Sequence, residues 1–72
     1  MENLEEKVGK KLRECREQLN MTQREVAAKL GVAQPVYQRF EKGTFECNYT
    51  QLVALCKLYD ISADYLLGLS EY

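Results

Sequence analysis

The stretch that decides the fold is Thr22-Gln23-Arg24-Glu25-Val26-Ala27-Ala28-Lys29-Leu30-Gly31-Val32-Ala33-Gln34-Pro35-Val36-Tyr37-Gln38-Arg39-Phe40-Glu41-Lys42-Gly43. It opens on a capping box. The Thr22 hydroxyl can accept from the amide three residues on, while Glu25 reaches back to the amide of Thr22. Val26, Ala27 and Leu30 supply the buried side of a short helix. Gly31 follows at once, where a left-handed C-terminal residue suits glycine. Val32 and Ala33 bridge to a second helix beginning near Gln34, with Pro35 in the first turn, where its missing N–H forfeits no helical bond. Tyr37 and Phe40 face inward at i and i+3, and Gly43 stops the helix. Two short helices joined by a tight glycine-containing turn therefore occupy residues 22–43. Ala27 is small where they must cross, and Gln34, Pro35, Val36, Gln38 and Arg39 are left on the outside.

Outward from this unit the pattern stays helical. Val8, Leu12, Cys15 and Leu19 recur at i, i+4, i+7 and i+11, predicting an amphipathic helix from about Leu4 to Leu19, with Lys10, Lys11, Arg13, Glu14, Glu17 and Gln18 on its wet face. Asn48-Tyr49-Thr50-Gln51 is a further cap signal, and Leu52, Leu55, Cys56 and Tyr59 form the stripe of a fourth helix. Asp60-Ile61 turns the chain, and Ser62 caps a fifth helix running to Leu67 before Gly68. No stretch alternates with period two for long enough to make a strand, and nothing repeats internally. The expectation is one all-α domain over residues 1–72.

Composition narrows the class. The 72 residues are 46% hydrophobic and 29% charged, which is globular rather than disordered. No run approaches the roughly 18 apolar residues of a membrane span, and the acidic start Met-Glu-Asn-Leu-Glu-Glu-Lys lacks the order of a signal peptide. A cytoplasmic location without membrane contact is expected. Three cysteines, no histidine and no Cys-x-x-Cys spacing argue against a metal site. Cys15 and Cys56 read as small buried hydrophobes and Cys47 as a loop residue. No nucleophile–base pair or glycine-rich phosphate loop is present, so neither an enzyme nor a cofactor is expected. The net charge of −1 is unevenly spread. Residues 1–43 hold nine Lys/Arg against seven Glu, a net of +2; residues 44–72 hold Lys57 against Glu46, Asp60, Asp64 and Glu71, a net of −3. The positive charge lies in the half containing the helix pair, as a face turned toward a polyanion requires.

The residues Leu12…Arg16…Thr22-Gln23-Arg24-Glu25-Val26-Ala27-Ala28-Lys29-Leu30-Gly31-Val32, Arg39-Phe40-Glu41-Lys42-Gly43, Leu52…Leu55 and Ile61-Ser62-Ala63-Asp64-Tyr65-Leu66-Leu67-Gly68 resemble the lambda-repressor/Cro-like (xenobiotic-response-element type) helix-turn-helix domains over nearly the whole chain. The resemblance implies a five-helix lambda-repressor-like domain with a central helix-turn-helix whose third helix enters the major groove. It implies Gln34, Pro35, Val36, Gln38 and Arg39 as the base-facing set. Arg39 suits guanine O6 and N7, Gln34 suits adenine N6 and N7, and Pro35 and Val36 suit a thymine methyl. It implies Thr22, Gln23 and Lys42 as phosphate contacts, and Arg16 with Glu41 as a structural salt bridge.

Four departures from the family pattern stand out. Ala33 occupies the cap where Ser or Thr is usual, and Tyr37 replaces Ile or Val. Pro35 and Val36 replace polar residues, and the loop Thr44-Phe45-Glu46-Cys47 lacks the usual Lys/Arg. Modest affinity with steep salt dependence follows. The implied function is a sequence-specific transcriptional regulator, a repressor in character, binding double-stranded DNA as a homodimer on a two-fold site. Leu58, Leu67, Leu69 and Tyr72 are the candidates for the dimer surface. The alternative is a protein-interaction module on the same fold (an antitoxin, an antirepressor or a similar small regulator) whose partner is a protein and for which DNA is secondary.

Overall fold

The computed structural model describes residues 1–71, and five helices follow one another along the chain: α1 Leu4–Gln18, α2 Gln23–Leu30, α3 Gln34–Lys42, α4 Tyr49–Tyr59 and α5 Ala63–Leu67. Among the described residues there is no strand. Local chemistry explains the starts. Asn3, Thr22 and Asn48 each close a reciprocal capping box with Glu6, Glu25 and Gln51, and Ser62 accepts from the amide of Tyr65. Only α3 starts without a side-chain cap, at Ala33. The stops follow the same logic, since Gly31 and Gly43 sit in the left-handed region at φ 73° and 79°.

Leu12, Val26, Ala27, Tyr37, Phe40, Leu55, Tyr59 and Leu66 form the core. α1 packs across α3 and α5, and α2 packs against α3 and α4, so α3 is clamped along its inner side by two helices. The α1–α3 crossing is close because of Gly9. A methyl group there would run into the main-chain carbonyls of Phe40 and Glu41. Gly43 is similarly pressed onto α1, where an added Cβ would lie 2.6 Å from the Cα of Glu6.

Three expectations need correction. α1 ends at Gln18, and Leu19 is its C-cap and half exposed rather than part of the buried stripe, because the chain reverses at Asn20 (φ 55°). Cys15 and Cys56 are half-buried against the core rather than enclosed by it; Cys47 lies in a loop, as expected, and is half-buried there. Burial pushes all three thiols above their ordinary range, the direction of lower reactivity.

Candidate nucleic-acid interface

Tyr37 and Phe40 pin α3 to the bundle, and helical geometry then sets where its other side chains go. Pro35, Gln38, Arg39 and Lys42 form one exposed stripe. Gln34 flanks the stripe on one side and is half-buried. Val36 flanks it on the other and packs against the core, so it contributes an edge rather than a face.

Gln34 is held from behind. Its Nε2 donates to Oε1 of Gln23 at 2.9 Å, and Nε2 of Gln23 donates to Oε1 of Glu41 at 3.1 Å. Arg16 grips the same carboxylate bidentately, from Nε to Oε2 at 2.7 Å and from Nη2 to Oε1 at 3.1 Å. Its Nη1 donates to the carbonyl of Met21 at 3.0 Å, tying the α1–α2 connection into the cluster. Burial pushes the Glu41 carboxyl up, but donation from Arg16, Tyr37 and Gln23 outweighs it and holds the group below the usual carboxylate range. The hydrogen bonds from Arg16 to Glu41 raise Arg16 in turn.

A carboxylate only accepts, so the chain of amides has a direction. Gln23 must turn its NH2 to Glu41 and its carbonyl to Gln34, and Gln34 must turn its NH2 to Gln23. What Gln34 has left is one N–H and its carbonyl oxygen. The resemblance implies Gln23 as a phosphate contact; its side chain is also the link between Gln34 and Glu41.

The tyrosine at position 37 belongs to the same cluster. Its ring is fully buried and meets Phe40 edge-on at 6.3 Å, and its hydroxyl lies 2.6 Å from that of Tyr59 on α4. Burial, with Tyr59 and Glu41 as hydrogen-bond partners, drives the Tyr37 phenol well above its ordinary range; burial pushes Tyr59 up to about 12. The hydroxyl that this bulky residue brings into the core is therefore satisfied, and among the described residues no buried side-chain polar atom lacks a partner.

At the start of α2, Thr22 Oγ1 accepts from the Glu25 amide at 3.1 Å and its own amide donates to Glu25 at 2.9 Å. The Thr22 hydroxyl keeps its proton to donate, and the amides of Gln23 and Arg24 precede the first intrahelical bonds. Beside this end lies a shallow polar cleft lined by Arg13, Arg16, Gln23, Gln38, Glu41 and Lys42. Arg13 escaped sequence reasoning, although its i, i+3 relation to Arg16 places both on one side of α1. It makes only a long 3.4 Å ion pair with Glu17 on the exposed surface.

The second residue that sequence reasoning missed is Phe45, whose ring lies 5.0 Å from the Arg39 guanidinium carbon. The adjoining Glu46 meets Glu5 of α1, and their shared hydrogen bond raises Glu46; Glu5, bonded first to its own backbone amide, is lowered. Of the dimer candidates, Leu58 packs on the core, Leu67 lines a cavity between α1 and the α3–α4 loop, and Leu69 is largely exposed; Tyr72 lies outside the described residues. No described helix is long and apolar enough to cross a membrane.

Comparison with known proteins gives a consistent picture. YqaE, an uncharacterized HTH-type transcriptional regulator of Bacillus subtilis (strain 168), is 41% identical over 56 residues, covering 78% of this chain and 48% of its own length. ImmR, an HTH-type transcriptional regulator of the same organism, is 36% identical over 64 residues, covering 89% of this chain and 50% of its own. The chain thus spans about half the length of these curated relatives, which are named as transcriptional regulators and not as enzymes. Among solved structures, the P22 c2 repressor in complex with a synthetic operator superposes with a TM-score of 0.82 at 30% identity, covering 88% of this chain and 96% of that one. The regulator ClgR from Corynebacterium glutamicum gives 0.84 at 27% identity, covering 93% and 71%. A helix-turn-helix family model matches residues 12–66, most of the chain. By that match and by its five-helix architecture, the chain belongs to the helix-turn-helix family, of the lambda-repressor-like (XRE) type.

Proposed function

We propose that this domain binds double-stranded DNA as the reading head of a transcriptional regulator, with α3 in the major groove. The observation that carries the reading is the α3 surface itself. Pro35, Gln38, Arg39 and Lys42 are exposed together, and Gln34 beside them is pre-oriented by the Glu41 cluster. The N–H and carbonyl that Gln34 has left match the N7 acceptor and N6 donor of adenine, and Arg39 matches guanine O6 and N7. Gln38 reads from the same stripe, and Pro35, with Val36 at its edge, offers apolar surface to a thymine methyl. The Thr22 hydroxyl, the free amide of Gln23, Lys42 and Arg13 hold phosphates on either side of the reading face. The operator-bound state of the P22 c2 repressor supports this docking mode.

One such domain reads only a few base pairs, so the protein acts in the cytoplasm as a homodimer on two half-sites about one helical turn apart. Leu69, 76% exposed, is the described candidate left over for that contact. Selection from a random duplex pool at low salt tests the reading, with Gln34→Ala and Arg39→Ala run in parallel. The expected outcome is a two-fold symmetric site, at which each variant loses preference at its own base position. No enrichment by the folded wild type would refute it and turn attention to a protein partner.

A further inference from the structure

Arg39 is exposed, and among the described residues no carboxylate pairs with it. The group that meets its guanidinium is the Phe45 ring, at 5.0 Å. The contact is built into the backbone. Gly43 turns the chain in the left-handed region, and the carbonyl of Arg39 then accepts from the Thr44 amide at 3.1 Å and from the Thr44 hydroxyl at 3.4 Å. The loop is thereby fastened to the residue whose side chain it supports. Phe45 also lines the cavity bounded by Leu4, Val8, Leu12 and Cys47, with about half of its surface, 48%, left exposed.

We propose that Phe45 is a positioning residue that sets the direction of Arg39 and so determines specificity at the base Arg39 reads; this rests on the DNA-binding function proposed above. A cation stacked on a ring face keeps its in-plane N–H donors free, and a planar fork held in one orientation discriminates guanine better than a freely rotating one. The loop needs no basic residue of its own to act on DNA, because its aromatic residue acts through α3.

The test is a double-mutant cycle on the duplex that the wild-type protein enriches, comparing it with the same duplex changed at the guanine lost in Arg39→Ala selections. Phe45→Leu keeps an apolar side chain in the cavity and removes the ring. It is expected to lower the preference for guanine roughly two- to fivefold, the worth of an exposed cation–π contact, with the salt dependence unchanged. Phe45→Trp, which restores a ring face, is expected to keep the preference. In the Arg39→Ala background Phe45→Leu is expected to change nothing further. Equal effects of Phe45→Leu in both backgrounds would overturn the proposal, because the ring would then act on DNA directly. An unchanged preference in Phe45→Leu would overturn it as well, as would a loss of preference in Phe45→Trp. Failure of the wild type to enrich any duplex would instead refute the DNA-binding function, and the proposal with it.

Discussion

Replacing Glu41 by alanine removes the acceptor on which three side chains converge. The side chains of Arg16 and Glu41 are 15% and 5% exposed, so this is a nearly buried pair. Breaking a buried pair by deleting one partner costs about 3–5 kcal/mol, and the residual exposure of Arg16 and its bond to Met21 shift the expected loss downward, to about 2–4 kcal/mol. For 72 residues the whole stability is roughly 4–11 kcal/mol at typical per-residue values, so Glu41→Ala removes a large part of it. At about 4–8 °C per kcal/mol for a domain of this size, the thermal midpoint falls by roughly 8–32 °C. Glu41→Gln keeps the shape and one carbonyl acceptor and should lose about half as much. Urea unfolding followed by circular dichroism measures both. The carboxyl is held below its ordinary range in the folded state. Its contribution is therefore complete above the ordinary glutamate value of 4.5 and is lost as pH falls through the lower folded value. Wild type should show this acid loss and Glu41→Gln should show less of it. A Glu41→Ala penalty of only a few tenths of a kcal/mol would refute the account of the cluster.

Other perturbations separate the remaining causes. Tyr37→Phe leaves the Tyr59 hydroxyl buried without its partner and should cost about 1–3 kcal/mol. Both phenols are raised in the folded state, so their contribution is complete below about pH 10 and is lost as pH rises from there through the folded values, about 12 for Tyr59; the variant's alkaline unfolding should be shallower than wild type's. Gly43→Ala combines a left-handed backbone with a collision against Glu6, whereas Gly31→Ala meets open space. Their unfolding midpoints should therefore differ, with about 1 kcal/mol lost at Gly31 and clearly more at Gly43. Ala33→Ser supplies the missing cap of α3 and should stabilise by about 0.5–1 kcal/mol, read as a rise in the thermal midpoint.

What could be read in advance was whatever is local. The Thr22–Glu25 box, the glycine stops at 31 and 43 and the Asn48–Gln51 box depend on neighbours three or four residues apart, and their pattern states the bond. Long-range consequences were harder to see. Gly9 carries no signal in the sequence; its role shows only once α3 is laid across it. Tyr37 reads as an awkward substitution until Tyr59, 22 residues later, meets its hydroxyl. On α3 the exposure of Pro35, Gln38 and Arg39 follows from helical spacing, whereas Val36, expected outside, packs against the core, and the direction of the Gln34 amide depends on a carboxylate two links away. Phe45 carried no signal, since a lone aromatic in a loop has no periodicity and its partner Arg39 is found only once the loop has folded back.

The most direct test of the central claim is a titration of isotope-labelled protein with mixed-sequence duplex DNA at low salt, followed by amide and side-chain N–H shifts. The account predicts movement concentrated in the Gln34 and Gln38 amides, the Arg39 guanidinium, the first turn of α2 and Lys42. Shifts confined to α4 and α5, or none at all from a folded protein, would contradict it.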